Sequence, residues 1–316
     1  MVSGGNTDDG TSSRQVWRLG LERLRWERLP DLTRARWGHA CCVVRGGTLV
    51  SLGGSVYTAP GDDPDDEIHQ ILTASVEVQD TRAAGEAALS RELPQLSCGP
   101  FHVGSALVVD ERESEAGQVL LIGGVVATGQ PGELETSSNV WSVDLATGVC
   151  TPQPPLGRAR DWFAAARLPG GRVVCVGDDV HGVSAEMWEP AQGTWRDLPD
   201  ARVGRFGAAG CVLSDGGFAA LGGLDGEWEP QSSCEALALD GTERWELLPP
   251  MHQVRFGFAA AAVGGCVIVA GGRGVAHQEP KLRSVEVYEE AAGAWRRLPR
   301  ACDLTQGLYM MGSALI

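Results

Sequence analysis

Residues 245–272 read WELLPPMHQVRFGFAAAAVGGCVIVAGG, and their interpretation decides the fold. Between the Trp245-x-x-Leu248-Pro249 opening and the closing Gly271-Gly272 lie two apolar runs, 256–263 and 266–272, parted by Gly264-Gly265. Local propensity favours a helix over 256–263, because alanine is the best helix former. The length argues otherwise. Eight residues closed by a glycine pair and followed by CVIVAGG make a strand, a hairpin turn and a second strand, here called a and b. SVEVYE at 284–289 then reads as strand c, and Trp295 opens strand d.

The same marks recur along the chain. Apolar runs end in glycine pairs at Gly54, Gly124, Gly223 and Gly272, with a weaker copy, VVCVGD, ending at Asp178. Trp-x-x-Leu-Pro recurs from Trp26, Trp195, Trp245 and Trp295, with variants from Ser90 and Cys150. The first glycine follows that signature by 27 residues at 26 to 53, 150 to 177 and 195 to 222, and by 26 at 245 to 271. Only the copy from 90 to 123 is longer. Two independent marks in fixed phase define a repeat of about 50 residues and four strands, as a β-propeller requires. Small residues dominate every first strand (HACCVV, 39–44; WFAAARL, 162–168; FGAAGCVL, 206–213), as crowding around one axis demands.

Ser-x-Glu stands in strand c at Ser75, Ser184, Ser233 and Ser284. Together with the glycine pairs and Trp-x-x-Leu-Pro, it resembles the kelch repeat over nearly all of 1–316. The chain departs from that pattern where Asp178 replaces a glycine, where Ser90 and Cys150 replace Trp, and where strand-c Tyr survives only at Tyr288. The expected fold is an all-β, six-bladed kelch-type propeller forming one domain. Its blades fall at 36–95, 100–155, 160–199, 205–249 and 255–299. The sixth joins 1–30 to 305–316: a C-terminal strand a, a stunted strand b before Gly4-Gly5, strand c at Gln15–Leu21 and strand d at Trp26. Such a stunted strand leaves two expectations, a weak blade or a chain that is part of a longer gene product. The F-box or BTB domain that some kelch proteins carry is not evident in these residues.

Composition narrows function. The 43 glycines among 316 residues disfavour an all-helical chain. A net charge of −15 repels phosphate backbones, so nucleic acid is an unfavourable partner. No apolar stretch approaches the roughly 18 residues of a membrane span, and the first residues do not read as a signal peptide. The nine cysteines form no CxxC pair and read as small thiols in a reducing compartment, which points to the cytoplasm, with the nucleus as the alternative; the propeller is expected to be a monomer.

Six residues after the strand-d proline come Arg36, Arg160, Arg205 and Arg255, with Pro100 and Thr305 at the corresponding places of the other two units. These arginines enter the first strands on the face that carries the d–a and b–c loops. In kelch proteins that recruit acidic peptides, arginines so placed grip carboxylates. The resemblance therefore implies partner binding by Arg36, Arg160, Arg205 and Arg255, with Trp37, Phe206 and Phe256 adding apolar contact. The other reading pairs them with Glu77, Glu186, Glu235 and Glu286 as struts. The expected function is a non-catalytic platform for an acidic or phosphorylated protein segment. The alternative is a small-ligand or sugar-mutarotase-like propeller using its channel. No cofactor or metal is called for: GDDPDDEIH at 61–69 lacks EF-hand spacing and reads as a solvated acidic loop, as does the tip at 110–117. His39, His102, His181 and His277 fall in separate units and form no constellation.

Overall fold

The computed structural model describes residues 1–315 except 45, 58–69, 83–88, 103, 111–117, 129, 131–132, 178–181, 240 and 275–279. The acidic loop at 61–69, the tip at 111–117, Asp178, His181 and His277 thus lie outside the described residues. Among those described are six four-stranded antiparallel sheets, each in the order a-b-c-d. In the unit quoted first, the strands are Ala259–Val263, Cys266–Ala270, Val285–Glu289 and Ala294–Arg297. Val263 faces Cys266 across a turn whose two glycines have φ of +58° and +74°. That is the left-handed pair a tight hairpin needs, and it stops the alanine run from continuing as helix.

One sheet unites the chain ends. Gly312–Ser313 pairs with Val2–Ser3, followed by Val16–Gly20 and Arg25–Leu29. Within 15–21, residues Val16–Gly20 are strand, and the strand before Gly4-Gly5 has only two residues. The strands a are Ala40–Val44, Ser105–Asp110, Ala164–Arg167, Ala209–Val212, Ala259–Val263 and Gly312–Ser313, and each adjoins the next, with the last beside the first. Apolar clusters fill the spaces between successive sheets. Phe218 and Trp245 of one sheet, for example, pack against Val174, Met187 and Leu198 of its neighbour.

The Trp-x-x-Leu-Pro signature joins units. Trp195 Nε1 donates to the carbonyl of Pro154 (3.0 Å), Trp245 Nε1 to Pro199 (2.7 Å) and Trp295 Nε1 to Pro249 (2.8 Å). Each strand-d tryptophan thus reaches the proline that ended the preceding unit. Trp26 of the composite sheet makes the same link to the carbonyl of Cys302 (2.8 Å). Two long b–c connections read as loops contain strands of their own. Ser55–Tyr57 pairs with Gln70–Leu72, and Val125–Ala127 lies between Phe101–His102 and Leu134–Thr136. Arms this long have enough backbone to satisfy its hydrogen bonds by folding back on themselves.

Candidate functional face

The four repeated arginines are fully buried. Arg160, Arg205 and Arg255 direct Nη2 to Oε1 of Glu186, Glu235 and Glu286 at 2.9, 2.7 and 2.8 Å, and Arg36 meets Glu77 in the same way. Nη1 of each donates to the carbonyl of the first glycine in its pair: Gly53, Gly177, Gly222 and Gly271. The second carboxylate oxygen accepts from the backbone of the entering loop, at Thr33, Gly157, Arg202 and His252. Arginine, glycine pair and Ser-x-Glu are therefore parts of one buried lock. Burial lowers the pKa of Arg36 and Arg255, while their glutamates oppose that shift.

This corrects the partner-binding expectation for Arg36, Arg160, Arg205 and Arg255. Guanidiniums with no solvent exposure present nothing to a partner's carboxylates, and the strut reading describes all four. The backbone also changes which residues correspond to them. Gly5, Gly124 and Gly223 donate to the carbonyls of Arg36, Arg160 and Arg255, whereas Gly54 and Gly272 donate to Phe101 and Leu308. Phe101 and Leu308, rather than Pro100 and Thr305, take the arginine's place. In those two sheets the glutamate position is held by Trp141 and Trp17. Phe101 clusters with Trp141, and Leu308 with Trp17. Where the ion pair is absent, both positions carry apolar residues.

Next to the lock, the chain turns into strand a through a left-handed residue: Gly38, Trp162, Gly207, Gly257 and Met310, with φ between 52° and 62°. Their backbones join in series. Gly38 N–H donates to Met310 (2.9 Å), Met310 to Gly257 (2.7 Å), Gly257 to Gly207 (2.8 Å) and Gly207 to Trp162. Glycine adopts this conformation freely, but tryptophan and methionine are strained there. Trp162 and Met310 hold it because hydrogen bonds to the adjacent units fix the backbone.

On this collar sits an apolar cluster of Trp37, Phe206, Leu224, Phe256, Tyr309 and Met310, with Trp162 beside it. Trp37, Phe206 and Phe256 each follow a lock arginine, as the sequence indicated. Trp228 comes from a b–c loop and is 64% exposed. Its ring stacks on Phe206 (centroids 4.9 Å apart, planes at 16°), and its own φ is +65°. Asp225 anchors that loop by accepting from the backbone of Glu227 and Glu229 and from Gln231 Nε2. A cleft of about 410 Å³ opens here, walled by Trp162, Trp228, Phe256, Tyr309 and Arg273, with Glu227 and Glu229 at its border. The Arg273 guanidinium lies 5.6 Å from the centre of the Tyr309 ring. Trp162 takes a glycine's place in the repeat and Trp228 lies in a single loop, so neither belongs to the Trp-x-x-Leu-Pro series; tryptophans outside that series were the available clue.

The remaining candidates are quieter. A second cavity of about 440 Å³ runs along the strands a, lined by alanine, glycine, cysteine, valine, leucine, phenylalanine and methionine with His39 and Ser313. His39 Nε2 lies 2.9 Å from Ser3 Oγ, and burial holds its pKa well below the usual imidazole range. His102 packs edge-on against Trp37 at 4.4 Å, and burial lowers its pKa to about 3. Among the described residues no three His, Cys, Asp or Glu side chains gather as a metal site. The cysteines are free thiols, and burial raises Cys211 to about 12 and Cys234 to about 11. No helix among the described residues is long and apolar enough to cross a membrane.

Comparison with known proteins agrees with this construction. The Kelch motif profile matches residues 255–300. Human Kelch-like protein 34 is 28% identical over 271 residues, covering 78% of this chain and 36% of that protein. An F-box/kelch-repeat protein of Arabidopsis thaliana is 28% identical over 124 residues, covering 35% of this chain and 32% of that protein. The chain thus spans about a third of the length of each relative. The solved structure of YjhT superposes with a TM-score of 0.69 at 13% identity, covering 89% of this chain and 88% of that one, a likeness of fold. With a repeated arginine–glutamate lock, glycine-pair strand ends and tryptophan links between four-stranded sheets, the chain carries a kelch motif at 255–300, is similar to kelch-repeat proteins over much of its length and has a kelch-type propeller fold.

Proposed function

We propose that this chain is a protein-interaction platform acting by binding rather than by chemistry. Its partner docks over the cleft of Trp162, Trp228, Phe256 and Tyr309. In this reading 1–316 is one ring of six blades, with the sheet shared by the chain ends as its closure. Trp228 carries the reading. It is a large ring, mostly exposed yet fixed by Phe206 and by the Asp225 turn, so little side-chain entropy is lost on docking. Likeness to kelch proteins supports an interaction role, and free thiols suit a cytoplasmic setting. An acidic or phosphorylated partner, expected from the four arginines, would have to be held without them.

A small ligand in the axial cavity is the second reading, favoured by the cavity's volume. Its described lining offers no carboxylate, lysine or arginine to orient such a ligand. The test is affinity capture with the intact chain, Trp228→Ala, and Gln192→Ala, an exposed residue in the turn between Ala185–Glu189 and Thr194–Leu198. The proposal expects the same proteins from the intact chain and Gln192→Ala, and their loss from Trp228→Ala at an unchanged melting temperature. Unchanged recovery by Trp228→Ala contradicts it.

A further inference from the structure

We infer that the cleft beside Trp228 accepts a basic side chain, arginine ahead of lysine, from an extended segment of the partner; this rests on the docking reading above. The charge around the cleft sets the sign. Glu227 and Glu229 border it, both exposed, and among the described residues lining it Arg273 is the one cation. Beyond the cleft the whole chain carries −15. The arginines that could have offset this are enclosed in their locks. At physiological salt the Debye length is about 8 Å, so distant charge fades and the carboxylates at the cleft decide.

The walls select the shape of the cation. Trp162, Trp228, Phe256 and Tyr309 present aromatic surface, whose negative faces attract cations. The protein uses this contact itself, placing Arg273 5.6 Å from the Tyr309 ring centre. One face of Trp228 is taken by Phe206, and the residue as a whole remains 64% exposed. A planar guanidinium can stack on that exposed surface while donating in its own plane to Glu227 or Glu229. An ammonium cannot stack in this way, so lysine ranks second. A carboxylate or phosphate would meet like charge and the negative faces of the rings.

The experiment follows the tryptophan indole signals of the intact chain in ¹H–¹⁵N correlation spectra, with Trp228 assigned from Trp228→Phe. The probes are blocked Gly-Ser-Arg-Ser-Gly, the same peptide with uncharged citrulline for arginine, one with lysine and one with glutamate. The inference expects saturable movement of the Trp228 signal with the arginine peptide, and at least tenfold weaker binding of the citrulline and glutamate peptides. Glu227→Gln with Glu229→Gln should weaken the arginine peptide at least fivefold without changing the melt. If citrulline or glutamate peptides bind at Trp228 as well as arginine, the inference falls and the docking cleft stands. If no probe moves Trp228, the inference falls; loss of captured partner from Trp228→Ala then decides separately whether the cleft docks anything.

Discussion

Arg205 and Glu235 meet inside their sheet, with Nη2 2.7 Å from Oε1 and neither side chain exposed. Arg205 Nη1 also holds the carbonyls of Gly222 (2.8 Å) and Ser233 (2.9 Å), while Glu235 takes the backbone N–H groups of Arg202 and Val203. A charge pair taken out of water is stable only when its remaining donors and acceptors are satisfied, and here they are. The pair fixes where a d–a loop enters its sheet and so where the neighbouring Phe206 stands beneath Trp228.

Removing one partner strands the other. Arg205→Ala or Glu235→Ala should each cost about 3–5 kcal/mol in a denaturant melt. Arg205→Leu with Glu235→Trp, the residues found at Leu308 and Trp17, should cost less than the sum of Arg205→Leu and Glu235→Trp measured singly, with a coupling of about 0.5–3 kcal/mol. Strict additivity would show that the two side chains do not form a unit.

The sheet shared by the chain ends pairs Val2–Ser3 with Gly312–Ser313 and carries the Trp26 link to Cys302, and the proposed ring depends on it for closure. Deleting residues 1–30 removes three of its four strands and exposes sheet edges, so the melting temperature should fall sharply or the protein aggregate. Trp26→Phe, which loses one hydrogen bond, should cost only about 0.5–1.5 kcal/mol. An unchanged melt after the deletion contradicts the closure.

Two glycines separate backbone strain from packing in the collar. Gly38 and Gly264 both have φ of +58°. An added Cβ at Gly38 would lie 2.1 Å from His102 Nε2, whereas nothing is within 4 Å of one at Gly264. Gly264→Ala should cost about 1–2 kcal/mol for left-handed strain. Gly38→Ala should cost clearly more, and equal losses in thermal melts would refute close packing at the mouth.

Much of this architecture is legible in the sequence, for a physical reason. Glycine pairs, Trp-x-x-Leu-Pro and Ser-x-Glu recur because each performs one backbone task in every unit that keeps it. The alanine run at 259–262 is strand against its own propensity because Gly264-Gly265 turns the chain back. The site was harder to read. Repetition of Arg36, Arg160, Arg205 and Arg255 reported a structural lock, and periodicity alone does not separate a lock from a grip. Trp162 and Trp228 act by breaking the pattern, one in a glycine's place and the other in a single loop. Phe101 and Leu308 were misaligned because the count from the strand-d proline shifts when a connection changes length.

Acid should weaken the fold through two histidines. Burial lowers His102 to about 3 and His39 well below the usual range, so both are neutral in the folded chain at pH 7. The unfolded chain binds more protons as pH drops below about 6.5. Their contribution is therefore complete above that pH and lost as pH falls below it, for His102 progressively toward pH 3. Denaturant melts at pH 7, 6 and 5 should show this slope, and His102→Phe should reduce it. An equal slope in that variant contradicts the assignment.

The most direct measurement of the central claim compares Trp228→Ala with Arg205→Ala, reading partner recovery and melting temperature for each. Trp228→Ala should lose the partner at least tenfold and melt as the parent does. Arg205→Ala should melt several degrees lower, yet still recover the partner at temperatures where it remains folded. Retained binding by Trp228→Ala, with binding lost from a still-folded Arg205→Ala, would contradict the account and return recognition to the arginines.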